Sequence, residues 1–165
     1  MDRLEDVVII TEVDDGPAFA GHIFRRAFGA EIPDFEHHVV AFVRPAEDLF
    51  VPANYVHLWL RDDVGLIGGA STDGRAFGHL APETATRIRD AGGLYLQTLR
   101  WTFAKFADRC DAFFGYCGDP RAWEVDMQAG FEPTKHDKLI AHWHRPLPAA
   151  RRDELVERVN AIGPF

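Results

Sequence analysis

The chain has 165 residues, 47% of them hydrophobic and 27% charged, with a formal net charge of −8. That length is one ordinary domain with enough chain to bury a core, and no apolar run approaches the roughly 18 to 20 residues that a membrane span needs. The acidic balance argues against nucleic acid as the main partner, because phosphate binding depends on clustered Lys and Arg.

MDRLEDVVII at the start is acidic and lacks the basic region and apolar stretch of a signal peptide, so a cytoplasmic placement is expected. VVIITEV (7–13) is a short apolar run of β type. DDGPAFAGHIFRRAFGA (14–30) then has a start signal, apolar residues at helical spacing and a closing Gly. Phe24 and Phe28, four apart on this helix, are expected in the core. HVVAFVRP (38–45), NYVHLWLRDD (54–63) and VGLIGGAST (64–72) read as three strands of an antiparallel meander, with Asp62 and Asp63 at a turn. Tyr55, His57 and Trp59 alternate with Val56, Leu58 and Leu60, which leaves His57 half-exposed on one strand face.

Residues 73–90 give a turn at DGR and a short helix at PETATRIRD. GGLYLQTLRWTFAKFAD (92–108) is the clearest helix, because Leu96, Leu99, Phe103 and Phe106 recur at steps of three and four. CDAFFGYC (110–117) is a buried strand. Its two cysteines are separated by seven positions, roughly 23 Å of strand, so they cannot bridge each other and are expected as reduced thiols. PRAWEVDMQA (120–129) is a helix with Asp119 as N-cap, Pro120 at its first position and Gly130 as its stop. KLIAHWH (138–144) is a final core strand, read here as an exposed one able to support a homodimer. PAARRDELVERVNAIG (148–163) is a C-terminal amphipathic helix with Leu155, Val159 and Ile162 on one face. The order of elements indicates a single α/β (α+β) domain over 1–165, with a mixed sheet flanked by helices.

One stretch carries more than its capping signals. Residues 119–131 reduce to Asp-x-x-Ala-x-x-x-Asp-x-x-x-Gly-Phe, placed between two strands. The C-terminal signature of the GNAT superfamily of acyl-CoA-dependent N-acyltransferases is Asn-x-x-Ala-x-x-x-Tyr-x-x-x-Gly-Phe in the same setting, and this sequence resembles it. Asp119 stands where that family usually has Asn, while Ala122, Gly130 and Phe131 match. The family also opens a long helix with Arg/Gln-x-x-Gly-x-Gly/Ala after a strand. Here Arg89, Asp90, Ala91, Gly92, Gly93 and Leu94 precede the long helix, with Leu94 in place of the final small residue. The resemblance implies a GNAT-like, mainly antiparallel sheet and an acyltransferase that uses acetyl-CoA or another acyl-CoA. Its acceptor would be an amine of a small molecule or peptide.

A glycine-rich turn entering a helix presents unpaired backbone N–H groups and the positive end of the helix dipole, which together hold a pyrophosphate. Arg89, Ala91, Gly92, Gly93 and Leu94 are therefore candidate cofactor-binding residues, with Arg89 able to pair with a phosphate oxygen. Asp119 joins them through the resemblance. So do Ser71 and Thr72, because in the resembled fold their strand runs beside the acyl-pantetheine arm.

Acyl transfer to an amine needs a base for the nucleophile and an acid for the leaving thiolate. In the resembled family that acid is often the Tyr whose place Asp126 takes. An ionised carboxylate cannot donate, so Asp126 either acts differently or is a charge on the helix surface. Asp73 and His57 are the candidate bases. Ser-Thr-Asp-Gly is also ordinary turn composition, and a strand histidine needs no catalytic task.

His142 and His144 share one side of a strand and could bind zinc with His136 or Asp137 as a third ligand. Only two ligands are assured, so no metal site is assigned. The leading expectation is an N-acyltransferase. Two alternatives stand beside it: a catalytically degenerate module that binds acyl-CoA or a partner, and a metal-dependent hydrolase.

Overall fold

The computed structural model describes residues 3–165. Strand β1 (Val8–Val13) leads into helix α1 (Gly16–Phe28), whose start and stop are both local. The Asp15 carboxylate accepts the Ala18 N–H at 2.9 Å, Pro17 lies in the first turn, and Gly29 closes the helix at φ 66°. Strands β2 (His37–Ala46), β3 (Leu49–Arg61) and β4 (Val64–Thr72) complete an antiparallel meander with β1. Helices α2 (Gly74–Phe77), α3 (Pro82–Asp90) and α4 (Leu94–Phe106) carry the chain across to β5 (Ala112–Tyr116), which runs parallel to β4. Helix α5 (Pro120–Ala129), the short β6 (Glu132–Pro133), β7 (Leu139–His142) and helix α6 (Ala149–Ile162) follow. The seven strands form one sheet in the order β1-β2-β3-β4-β5-β7-β6.

Both faces of the sheet are covered. On one face α4 and α5 pack Leu99, Phe103, Phe106 and Phe131 against Val56, Leu58, Ile67 and Phe113. On the other, α6 sets Leu155, Val156 and Val159 on Leu66, Phe114 and Leu139, while α1 sets Ala20 and Phe24 on Val40 and Tyr55. Each fully buried Leu or Phe of these clusters contributes about 1.5 to 3 kcal/mol. The helical periodicity of residues 96–106 is thus realised in full.

Four expectations are corrected. β3 begins at Leu49 and passes through Pro52, which sits at a register shift where its missing N–H is tolerated. The DGR stretch is not a simple turn but the first part of α2. The final strand is not exposed: β7 lies between β5 and β6, with Leu139, Ile140 and Ala141 buried. Phe28 is not core: it leans on Phe24 at 4.6 Å between ring centres but remains 52% exposed. Cys110 and Cys117 are buried free thiols, as their spacing requires. Among the described residues, no helix is long and apolar enough to cross a membrane.

Candidate active site

The parallel pairing of β4 with β5 runs from Val64 opposite Ala112 to Ile67 opposite Gly115 and stops there, although β4 continues to Thr72. The strands part at a bulge. His57 pairs with Gly68 and Tyr55 with Ser71, so Gly69 and Ala70 together face the single residue Val56. Gly69 takes φ 64°, a conformation that side chains other than Gly rarely adopt. The gap is a cleft of about 360 Å³ whose walls include Gly68, Gly69 and Ala70 from β4, Gly115 and Tyr116 from β5, Cys117 and Asp119 from the link that follows, and Ala122 and Asp126 from α5. Small residues on both strands leave backbone, not side chains, facing the opening.

Asp126 is a wall of this cleft and only 3% exposed, so it is not a solvated surface charge. The Tyr95 hydroxyl, from the first turn of α4, donates to its Oδ1 at 2.7 Å. The Cys117 thiol donates to the Asp119 carbonyl, with Sγ 3.4 Å from the oxygen, and stands beside the same carboxylate in the cleft wall. Burial raises the pKa of Asp126, against the opposing effect of the Tyr95 hydroxyl and the Cys117 thiol. Burial also pushes the Cys117 thiol up to about 11, and burial with the adjacent carboxylate raises Tyr95 well above an ordinary phenol. Burial thus shifts all three groups toward their protonated forms in one cluster. Tyr95 and Cys117 were not among the sequence candidates. The one signal that could have found Tyr95 is its place in the first turn of the helix behind the glycine loop.

His57 is likewise buried, not half-exposed, because α1 covers its face of β3. Its ring stacks on Phe35 with centres 3.7 Å apart, and Phe24 approaches it at 6.3 Å. A Cβ built on Gly68 would lie 2.8 Å from His57 Nε2, and one on Gly69 only 2.5 Å from the ring. The two glycines thus let the imidazole rest directly behind the β4 backbone that lines the cleft. From His57 Nδ1 a polar chain leads away, to Tyr55 Oη at 3.4 Å and on to His38 Nδ1 at 2.7 Å. Burial lowers His57 to about 4 and lowers His38 as well, so both rings are neutral at neutral pH.

The glycine loop departs from expectation. The Ala91, Gly92 and Gly93 N–H groups are not free: they donate to the Arg87, Arg89 and Ile88 carbonyls and close the end of α3. Gly92 and Gly93 take φ 94° and 91° to do so. Unpaired amides begin at Leu94, Tyr95 and Leu96, the first turn of α4, which has no intrahelical acceptors. The Leu94 side chain is core, and Arg89 is exposed with its guanidinium on the Thr86 hydroxyl.

Asp73 caps α2 through the Arg75 N–H and pairs with Arg26 at 2.7 Å, outside the walls of the cleft. Ser71 and Thr72 also lie just beyond those walls. Ser71 donates to the Gly69 carbonyl, and Thr72 accepts from Asn54. Asp119 does cap α5, through the Arg121 N–H at 3.0 Å. His142 stacks on Phe103 and hydrogen-bonds the Gly130 carbonyl, and His144 meets the Ala107 carbonyl. Among the described residues, no group of three or more His, Cys, Asp and Glu could hold a metal ion.

No protein-family model matches the chain, and no curated protein matches it in sequence. Its fold, however, is shared with solved structures. The ribosomal-protein-S18-alanine N-acetyltransferase from Escherichia coli aligns with a TM-score of 0.58 at 14% identity, over 86% of this chain and 97% of that one. A GNAT family acetyltransferase from Brucella melitensis, in complex with acetyl-CoA, aligns with a TM-score of 0.53 at 12% identity, over 87% and 92%. Apo FdhC, a nucleotide-linked sugar GNAT, aligns with a TM-score of 0.51 at 12% identity, over 94% of each chain.

Proposed function

We propose that this chain, which has the fold of the GNAT acetyltransferases, is a divergent enzyme of that kind. It would transfer an acetyl or other acyl group from acyl-CoA to an amine of a small molecule or peptide. One observation carries the reading. The parallel strands separate at a bulge into a cleft walled by backbone, with the unpaired N-terminal amides of α4 and a protonated tyrosine beside it.

The chain's residues fit the parts of such a donor. The Leu94, Tyr95 and Leu96 amides, at the positive end of α4, suit a pyrophosphate, with the exposed Arg89 nearby as a cation. The backbone of Gly68 to Ala70 suits an extended amide-bearing arm. The bulge takes its extra residue out of the ladder, which leaves a donor for an acyl carbonyl oxygen.

Tyr95 and Asp126 then serve the leaving thiolate. The phenol gives its proton to sulfur and regains one from water, while the Asp126 carboxyl that accepts its hydrogen bond holds it in place. Asp126 supplies the orientation and Tyr95 the proton and the reach. The amine's proton passes to water in the cleft, because the His57 ring lies behind the Gly68 and Gly69 backbone, outside the walls. The neutral imidazole supports that wall and anchors the buried polar chain through Tyr55 to His38. Asp73, tied to Arg26, positions α2.

Calorimetric titration and thermal-shift measurement with acetyl-CoA and longer acyl-CoAs test the reading. Binding heat and stabilisation are expected, and the absence of both with every donor sinks it. The engagement of the Gly92 and Gly93 amides favours a second reading, an acyl-CoA-binding module without turnover. Acyl transfer to any member of an amine panel excludes it.

A further inference from the structure

The cleft passes through the sheet and has a different chemistry at each mouth. Toward α4 and α5 its walls are Tyr95, Asp126, Cys117 and Phe131, which belong to the core on that face. Toward α1 and α6 they are Phe28, Tyr116 and Phe165, the last packed against the α6 cluster. The α4 amides that suit a donor's phosphates lie on the first side. An acceptor meeting that donor's thioester in the cleft must therefore come from the second.

That second mouth is aromatic and carries no cation. Among the described residues, five large hydrophobic side chains are exposed, and two of them, Phe28 at 52% and Tyr116 at 37%, stand there together. The ring of Phe165 rests edge-on to Tyr116 at 6.2 Å, so the two rings line the opening together. Among the described residues, no Lys, Arg or His lines the cleft; the Lys138 ammonium lies beyond its Gly118 wall, in the neighbouring hollow with Trp123 and Asp137. The two nearby arginines of α1 are engaged elsewhere, Arg25 with Glu31 and Arg26 with Asp73. Among the described residues, the charged side chains in the walls are Asp119, the N-cap of α5, and Asp126 within it, held by the Arg121 N–H and the Tyr95 hydroxyl. A carboxylate or phosphate drawn into the aromatic mouth would lose water and find no counter-charge.

We infer that the acceptor, in the acyl transfer proposed above on which this inference rests, is a primary amine bearing an aromatic or apolar group and neither carboxylate nor phosphate. Its ring or chain lies between Phe28 and Tyr116, and its amine points down the cleft toward the β4 bulge. The deprotonated amine attacks the thioester carbonyl, the carbon–sulfur bond breaks, and the products are the N-acyl amine and free thiol. The amine's proton passes to water in the cleft, and the sulfur receives one.

The test is steady-state transfer from acetyl-CoA to a matched set: 2-phenylethylamine, phenylalanine, hexylamine, spermidine and glucosamine 6-phosphate. Phenylalanine is 2-phenylethylamine with a carboxylate added, so that pair isolates the missing counter-charge. The expected kcat/KM for 2-phenylethylamine exceeds that for phenylalanine by on the order of 100-fold, with hexylamine between them. Phe28→Ala, at a half-exposed position that the fold does not need, is expected to raise KM for 2-phenylethylamine about tenfold. Its acetyl-CoA dissociation constant, read by calorimetry, should not change. A preference for phenylalanine, spermidine or the sugar phosphate overturns the inference while leaving acyl transfer standing. Acetyl-CoA binding with no turnover of any amine overturns both, and so does failure to bind acetyl-CoA.

Discussion

The Tyr95 hydroxyl donates to the Asp126 carboxylate at 2.7 Å, joining α4 to α5 across the wall of the cleft. Burial raises the pKa of Asp126, so the native state favours its protonated form. The stability that this form supplies is complete below the ordinary carboxylate pKa of 3.8 and is lost as pH rises through the raised value. Asp126→Asn fixes the neutral state. Urea unfolding of both proteins from pH 4 to pH 8 should show the Asn variant gaining on the wild type as pH rises. A constant difference would mean that Asp126 titrates normally.

Tyr95→Phe leaves a buried carboxylate without its phenol and is expected to lower unfolding free energy by about 1.5 to 3 kcal/mol. Its effect on transfer should be separate from that loss. Acetyl-CoA binding measured by calorimetry stays within about twofold, while kcat falls by on the order of 10² at saturating donor. Equal losses in binding and turnover would reduce Tyr95 to a structural strut.

The His57 pKa moves the opposite way, from 6.5 to about 4, because burial disfavours the imidazolium. Unfolding lets the ring take a proton, so stability falls as pH drops from about 6.5 to about 4 and levels below that. The shift corresponds to about 3 kcal/mol. The groups that face the ring are Phe24 from α1, Phe35 from the following loop, and Tyr55 with His38 beyond it from the sheet. His38, lowered by burial against the raising fields of Asp34 and Asp15, adds to the same acid limb. Denaturation curves of His57→Gln at pH 7, 6, 5 and 4 should be flatter than those of the wild type.

Two glycines separate strain from collision. Gly29 has φ 66° and nothing within 4 Å of a built Cβ, so Gly29→Ala should destabilise by only about 1 to 2 kcal/mol. Gly69 has nearly the same φ, 64°, but its Cβ would meet the His57 ring at 2.5 Å. Gly69→Ala should destabilise by roughly 3 kcal/mol or more. Thermal melts of the two variants measure the difference directly.

What the sequence disclosed follows the range of the interactions involved. Helices α1 and α5 were legible because Asp15, Pro17 and Gly29, or Asp119, Pro120 and Gly130, act within a turn of the ends they define. The meander was legible because its connections are short. The Tyr95–Asp126 pair spans 31 residues and exists only once α4 and α5 pack together, so neither residue announced the other. His57 looked half-exposed because alternation along a strand does not say whether a helix will cover its second face. The Gly92 and Gly93 amides looked free because a glycine pair before one helix equally well ends the helix before it, and here α3 takes them. The two-residue β6, which shields β7, is too short to carry a periodicity.

The bulge at Gly69 has a consequence for how this gene can vary. It acts as a phase shift in β4: upstream of it His57 is opposite Gly68, and downstream Tyr55 is opposite Ser71 and Asn54 opposite Thr72. A deletion of one residue between Gly68 and Ala70 would restore an uninterrupted ladder and straighten β4. Ser71 would stay beside Tyr55 and Thr72 beside Asn54, but the bend that carries them away from β5 would be gone. A substitution there disturbs one contact, whereas a single-codon loss removes the feature that opens the cleft and leaves the strand's pairing with β3 intact.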